Sequence, residues 1–303
     1  MSVGVGIAAF GGGVWLLVES VEGLIKSLRA WALAAGLSGV LVGALVLGFD
    51  VESTAAGVAA TLDDLPGTAL GTSFGATIFL VTVGLGVAAL IAPFEIRCPT
   101  AMLGAAAVAT ALSIMLAADG QLSRLDGGVL LGCFVPLVAA IVLGRPKTQR
   151  QDGVRAERPK LLVLKVLGGL AGLVLGAELL VFGAGRIVSE LGLSETVFGF
   201  LIVAAAVSFE EVVLEALPAF RGFPELSVGN ALGTLVFLLT GSLGVIVLAR
   251  PIDVPPAVIS YHLPALGLTV LLAIGLLTRG RLGRVEGVVL IVAYAGYVAG
   301  ALL

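Results

Sequence analysis

Gly71-Thr-Ser-Phe-Gly-Ala-Thr-Ile-Phe79 returns as Gly229-Asn-Ala-Leu-Gly-Thr-Leu-Val-Phe237, 158 positions further along a chain of 303 residues. The match extends outward. Leu85-Gly-Val87 and Leu243-Gly-Val245 keep the same offset, whereas Gly36-Leu-Ser38 and Gly192-Leu-Ser194 match at 156. Two residues were therefore gained or lost between these blocks. Further on, Gly120-Gln-Leu-Ser-Arg-Leu-Asp-Gly127 parallels Gly280-Arg-Leu-Gly-Arg-Val-Glu-Gly287. The chain reads as one unit written twice.

Each copy is almost wholly apolar. Hydrophobic residues make up 59% of the sequence and charged ones 12%, about half the charge usual in a soluble domain, and mean hydropathy is +1.15. Glycine occurs 43 times, as suits membrane helices, whose backbones approach closely through small residues. A membrane-crossing helix needs about 20 mainly apolar residues. Ten such segments are expected, at 3–27, 35–62, 67–92, 100–118, 126–143, 161–186, 195–219, 226–249, 257–278 and 285–302. The long polar stretch from Gly144 to Lys160 divides them five and five. The fold class expected is an all-α membrane protein: repeat 1–143, linker 144–160 and repeat 161–303. Five spans are an odd number, so the second repeat must be inverted relative to the first. Duplicated, inverted halves belong to secondary transporters, whose sites lie where the halves meet near the midplane.

Charge sets the orientation. With the N-terminus outside, thirteen Lys and Arg fall in inside loops: Lys26, Arg29, Arg97, six from Arg145 to Lys160, Arg221, Arg279, Arg281 and Arg284. Only Arg124, Arg186 and Arg250 fall outside. That asymmetry puts both termini outside and the 144–160 loop in the cytoplasm, in what is expected to be a prokaryotic plasma membrane. The opening MSVGVGIAAFGGG has no basic n-region and reads as the start of a span, not a signal peptide. Lipid and small cations are the partners expected, a monomer the working unit; a net charge of −3 gives no reason for a nucleic-acid partner. Cys98 and Cys133 lack metal-ligand spacing.

Asp50, Glu52, Glu210, Glu211 and Glu215 lie within the second and seventh spans, which correspond between repeats. A charged side chain at a helix centre costs about 2.5–3.5 kcal/mol on insertion scales. Acids at matching depth therefore imply a wet cavity where they meet cations or protons. Some of them can instead be structural, neutralised by protons or helix termini, Glu215 most readily. Gly48-Phe-Asp-Val-Glu-Ser-Thr54 and Val207-Ser-Phe-Glu-Glu211 have the composition of broken helices, whose freed carbonyls add oxygen ligands. Such oxygens suit hard ions such as Ca²⁺ and Na⁺. Glu19, Glu22 and Glu178 read as bundle contacts or path-lining acids, and His262, the sole histidine, as packing or a proton relay.

These features resemble the cation/Ca²⁺ exchanger superfamily, in particular its ten-span prokaryotic sodium/calcium exchangers, over almost the whole chain. The resemblance rests on the paired repeats, on Leu85-Gly-Val-Ala-Ala-Leu-Ile-Ala-Pro93 and Leu243-Gly-Val-Ile-Val-Leu-Ala-Arg-Pro251, and on Asp119–Gly127. It implies an ion motif Gly-Thr-Ser-x-Pro-Glu in each repeat. Here Ser208 falls on its serine, Glu211 on its glutamate, Val207 on its threonine and Glu210 on its proline. In the first repeat the two-residue shift leaves the register open; Glu52 is the best counterpart of the glutamate, with Asp50 and Ser53 beside it. On the following spans Thr234 keeps a hydroxyl, Ala76 loses one, and Leu80 and Leu238 replace Asn or Asp. The ion site expected is therefore Asp50, Glu52, Ser53, Ser208, Glu210, Glu211 and Thr234, with no cofactor. The function expected is exchange of Ca²⁺ against Na⁺ by alternating access. Coupling to H⁺, a cation channel and a degenerate exchanger are the alternatives. An enzyme is not expected, for want of a nucleophile–base pair or an acidic metal motif.

Overall fold

The structure, a computed structural model, describes residues 3–144, 159–190 and 204–301. Among them, nine helical stretches are long and apolar enough to cross a membrane: Gly4–Ala32, Gly39–Leu62, Pro66–Ile91, Thr100–Ala117, Arg124–Leu143, Leu161–Gly183, Pro224–Ala249, Val258–Leu277 and Arg284–Ala301. These are spans one to six and eight to ten. Of the seventh, expected at 195–219, the described part is helix Ala204–Phe220; its beginning lies outside the described residues. The first helix runs on to Ala35, beyond the expected end at 27, because nothing in the sequence after Lys26 breaks a helix before Gly36, which adopts a left-handed φ of 64°.

The first and sixth spans form an antiparallel pair. Their backbones touch through glycine: a Cβ on Gly13 would lie 2.6 Å from Leu180 N, and one on Gly176 3.0 Å from Leu17 N. In lipid no hydrophobic force drives helices together, so such close packing does. This pair has its own apolar cluster around Leu17, Leu24, Leu28, Leu173 and Leu180. The other spans share a larger one, with Phe74, Leu85, Leu130, Leu235, Leu243 and Leu266 at its centre. Leu125, Leu143, Leu268 and Leu271 are among many large apolar side chains left on the outer surface, the solvent exposure that lipid replaces.

Four two-residue strands tie the loops together. β1 (Phe94–Glu95), after the third span, pairs antiparallel with β4 (Arg281–Leu282), before the tenth. β2 (Gln121–Leu122), before the fifth, pairs with β3 (Ile252–Asp253), after the eighth. β1 and β3 stand 158 apart, β2 and β4 160 apart. Each clip is extended by one more backbone bond, Ile96 N to Gly280 O at 3.0 Å and Val254 N to Gly120 O at 2.9 Å. Gly120 and Gly280 both take left-handed φ, 91° and 76°. The same correspondence recurs where the second and seventh spans end: Asp64 (φ 60°) and Gly222 (φ 82°) turn the chain just before Pro66 and Pro224 start the next helices.

Candidate ion site

The second span is broken in its middle. Helical turns from Gly39 to Leu47 end in a bend at Gly48, and helix resumes at Val51. Glycine is required there, because a Cβ on Gly48 would lie 2.9 Å from Thr234 N and 2.4 Å from Ala44 O. The break therefore rests on the backbone of the eighth span. Asp50 caps the new helix, its Oδ1 accepting from Ser53 N at 2.8 Å, a stabilising use of an anion at a helix N-terminus. Glu52 stands in the first turn. Thr54 Oγ1 bonds to Asp50 O at 2.9 Å and to Ser242 Oγ of the eighth span at 2.8 Å.

The seventh span carries Glu210 and Glu211 on its helix. Asp50 and Glu52 each lie within electrostatic reach of both Glu210 and Glu211. Glu178 of the sixth span reaches Glu52. Four of the five acids singled out in the second and seventh spans thus act on one another electrostatically. Glu210, Glu211, Asp50 and Ser53 are half-buried, and Glu52 is exposed. Thr234 is buried, its hydroxyl donating to Asn230 Oδ1 at 3.4 Å. Ser208 is placed only as a position on the seventh helix; its side chain lies outside the described residues. No group of three or more Asp, Glu, His or Cys among the described residues is gathered closely enough to hold a metal ion.

One expectation changes. Residues 207–211 run as unbroken helix within Ala204–Phe220, so the break expected at that stretch does not occur there. The offset of 158 between Asp64 and Gly222, carried back along both helices, aligns Glu52 with Glu210 and Ser53 with Glu211. That offset settles on one of the registers the sequence left open, with Ser53 opposite Glu211. Leu80 and Leu238 are fully buried and apolar, so they offer no oxygen to an ion.

Sequence reasoning did not find Thr54, Ser242 and Asn230, nor the aromatic group Phe49, Phe134 and Phe237. Those rings stand 5.0–5.8 Å apart beside Asp50 and join the second, fifth and eighth spans. Ser242 had a signal: it occupies the position of Gly84, 158 residues earlier. Of the remaining acids, Glu22 pairs with Arg221 and Lys26, linking the first and seventh spans. Glu19 lines a cavity of about 410 Å³ with Lys26 and Lys165. His262 Nδ1 meets Tyr297 Oη at 2.8 Å in an aromatic group with Tyr261. Burial pushes the Cys98 thiol, in the loop after the third span, up to about 11.

A bundle of nine to ten apolar helices carrying mutually interacting carboxylates on its second and seventh spans defines an integral membrane protein of the ion-transporter class. The sequence pattern of the family described as sodium/calcium exchanger protein matches residues 5–143 and 161–303, and the chain belongs to that family. CaxA of Alkalimonas amylolytica is 28% identical over 94% of this chain and 95% of its own. The sodium/calcium exchanger MaX1 of Methanosarcina acetivorans is 31% identical over 41% of this chain and 38% of its own. A solved structure of the sodium-calcium exchanger NCX_Mj, soaked without Na⁺ and Ca²⁺, superposes with a TM-score of 0.86 at 23% identity, covering 98% of this chain and 99% of that one.

Proposed function

We propose that this chain is a secondary antiporter exchanging Ca²⁺, or a related divalent cation, against Na⁺ by alternating access, without chemistry on a substrate. The observation that carries it is that Asp50 and Glu52, beside the break in the second span, act electrostatically on both Glu210 and Glu211 of the seventh. Two or more carboxylates neutralise a divalent ion inside the bilayer, where either charge alone is costly. Ser53, Ser208 and Thr234 supply hydroxyl oxygens, and the carbonyls freed around Gly48 and Phe49 supply others. Glu52 stands open, so an arriving ion would draw it toward Glu211 and close the site around itself. Ca²⁺ and Na⁺ competing for one set of acids are coupled without binding together.

The architecture that serves this is two inverted repeats, 1–143 and 161–303, joined by a cytoplasmic linker at 144–160. Parity supports it. β1 and β4 pair, so the third span's end and the tenth's start share a membrane face. Spans four, five, six, eight and nine lie between them; these are five, so the seventh stretch must cross as well. Ten crossings place both termini on one side, the outside by the distribution of cations. Helix directions agree, the first and sixth spans antiparallel and the second and eighth parallel, since Val40, Ala44 and Gly48 meet Gly229, Gly233 and Thr234 in order. The working unit is the monomer.

A second reading, H⁺ in place of Na⁺, is favoured by one observation. Leu80 and Leu238 remove neutral oxygens from the region where Na⁺ needs them, while the carboxylates, which bind protons, remain. Flux into proteoliposomes with Ca²⁺, Na⁺ and pH gradients imposed singly separates the two. Uptake driven by Na⁺ alone supports the first reading and uptake driven by pH alone the second. Ca²⁺ movement only down its own gradient would make the protein a channel.

A further inference from the structure

Glu215 has no part in the site just described, yet it is the most deeply enclosed acid among the described residues. It lies in the C-terminal half of the seventh span's described helix and has no accessible surface. Neither carboxylate oxygen has a hydrogen-bond partner. Ser227 Oγ bonds to Glu215, but to its backbone carbonyl. The carboxylate presses on Gly84, the last residue of a π-helical turn in the third span: a Cβ on Gly84 would lie 2.2 Å from Oε2 and 2.8 Å from Cδ.

An isolated ionised carboxylate in such a place takes up a proton instead of remaining charged. Among the described residues, its surroundings offer no counter-charge. The packed stretch from Leu80 to Ile91 holds no ionisable residue. On the first span Glu22 pairs with both Lys26 and Arg221, and Arg29 lies over Phe223; Glu19 lines the cavity beside Lys165. On the sixth span Glu178 reaches Glu52. On the eighth, Glu225 stands in the first turn. Tyr294 of the tenth reaches Glu211. Among the described charged groups only Glu211, another acid, acts on Glu215. A metal ion needs several oxygens, and a proton needs one.

We propose that Glu215 is a proton-binding site whose occupancy is tied to the conformation seen here. With its proton, the carboxyl sits against Gly84; without it, the charge and this packing exclude one another. The seventh span must then move away from the 80–84 turn. The inference rests on alternating access for what that movement does, but not for its test.

Infrared spectra of the full-length protein in lipid, recorded as pH is raised, read the proton. Hydrogen–deuterium exchange of the 80–84 and 204–220 segments reads the packing. Wild type should show one protonated-carboxyl band that E215Q lacks, and the band should fade as exchange in both segments rises. E215Q should hold exchange low throughout. G84A, which keeps the acid but fills its seat, should weaken the band and raise exchange at neutral pH, and it serves where E215Q fails to fold. An unchanged band in E215Q, or loss of the band with exchange unaltered, overturns the proposal. Failure of Ca²⁺ exchange in proteoliposomes would count against the antiporter reading alone.

Discussion

Gly48 and Thr234 meet backbone to backbone: a side chain on Gly48 would intrude to 2.9 Å from Thr234 N. The contact holds the broken middle of the second span against the eighth, and with it Asp50 and Glu52. Gly48→Val should therefore separate these spans. Overpacking of this kind typically costs about 1–3 kcal/mol. The expected outcome is a lowered midpoint of thermal unfolding in detergent together with lost Ca²⁺ flux; Gly104→Ala, where a Cβ meets nothing within 4 Å, should change neither.

Thr54 and Ser242 form the hydroxyl link between the same two spans. Bonds of this kind in membrane bundles average about 0.6 kcal/mol. Thr54→Val and Ser242→Ala should each destabilise by about that amount. The double variant should be less destabilised than their sum, because both remove one bond. Unfolding free energies in mixed micelles measure the cycle, and strict additivity would show that the link is absent.

The left-handed turns at Asp64 and Gly222 align Glu52 with Glu210 and Ser53 with Glu211. Glu52→Gln and Glu210→Gln should accordingly resemble each other in the direction and size of their effect on Ca²⁺ affinity. Ser53→Ala should be much milder than Glu211→Gln. Isothermal titration with Ca²⁺ compares them, and a Ser53→Ala variant as damaged as Glu211→Gln would contradict the alignment.

Cys98 should alkylate slowly. Its thiol is held near 11, against an ordinary 9, so its thiolate at neutral pH is roughly 100-fold scarcer than in an unfolded chain. The rate should climb as pH rises toward 11 and jump on denaturation. The sign also sets stability: the folded state keeps this proton better, so its contribution is complete below pH 9 and is lost as pH rises through 11. Maleimide mass-labelling of Cys98 against pH tests both.

Much of this was legible in the sequence because lipid imposes long apolar runs, and the span positions follow from them. The duplication was legible too, since Gly71–Phe79 and Gly229–Phe237 keep their spacing. Three things were not. Gly36-Leu-Ser38 and Gly192-Leu-Ser194 sit at 156, which hid the alignment of Glu52 with Glu210 until the turns at Asp64 and Gly222 supplied markers on the other side. The seventh span has the composition of its broken partner around Glu211, yet composition cannot say where a helix yields, and 207–211 stays helical. Glu215 was read as the acid most readily structural; only the packing of the third span on the seventh shows that it is enclosed against Gly84.

The most direct measurement is Ca²⁺ accumulation in proteoliposomes loaded with Na⁺ and diluted into Na⁺-free buffer, with Ca²⁺ already higher inside. Wild type should take up Ca²⁺ against its own gradient for as long as the Na⁺ gradient lasts. Glu211→Gln, folded but lacking one of the facing charges, should lose this uptake by at least roughly 100-fold. Ca²⁺ running only downhill through wild type, or equal uphill uptake by Glu211→Gln, would contradict an antiporter built on these acids.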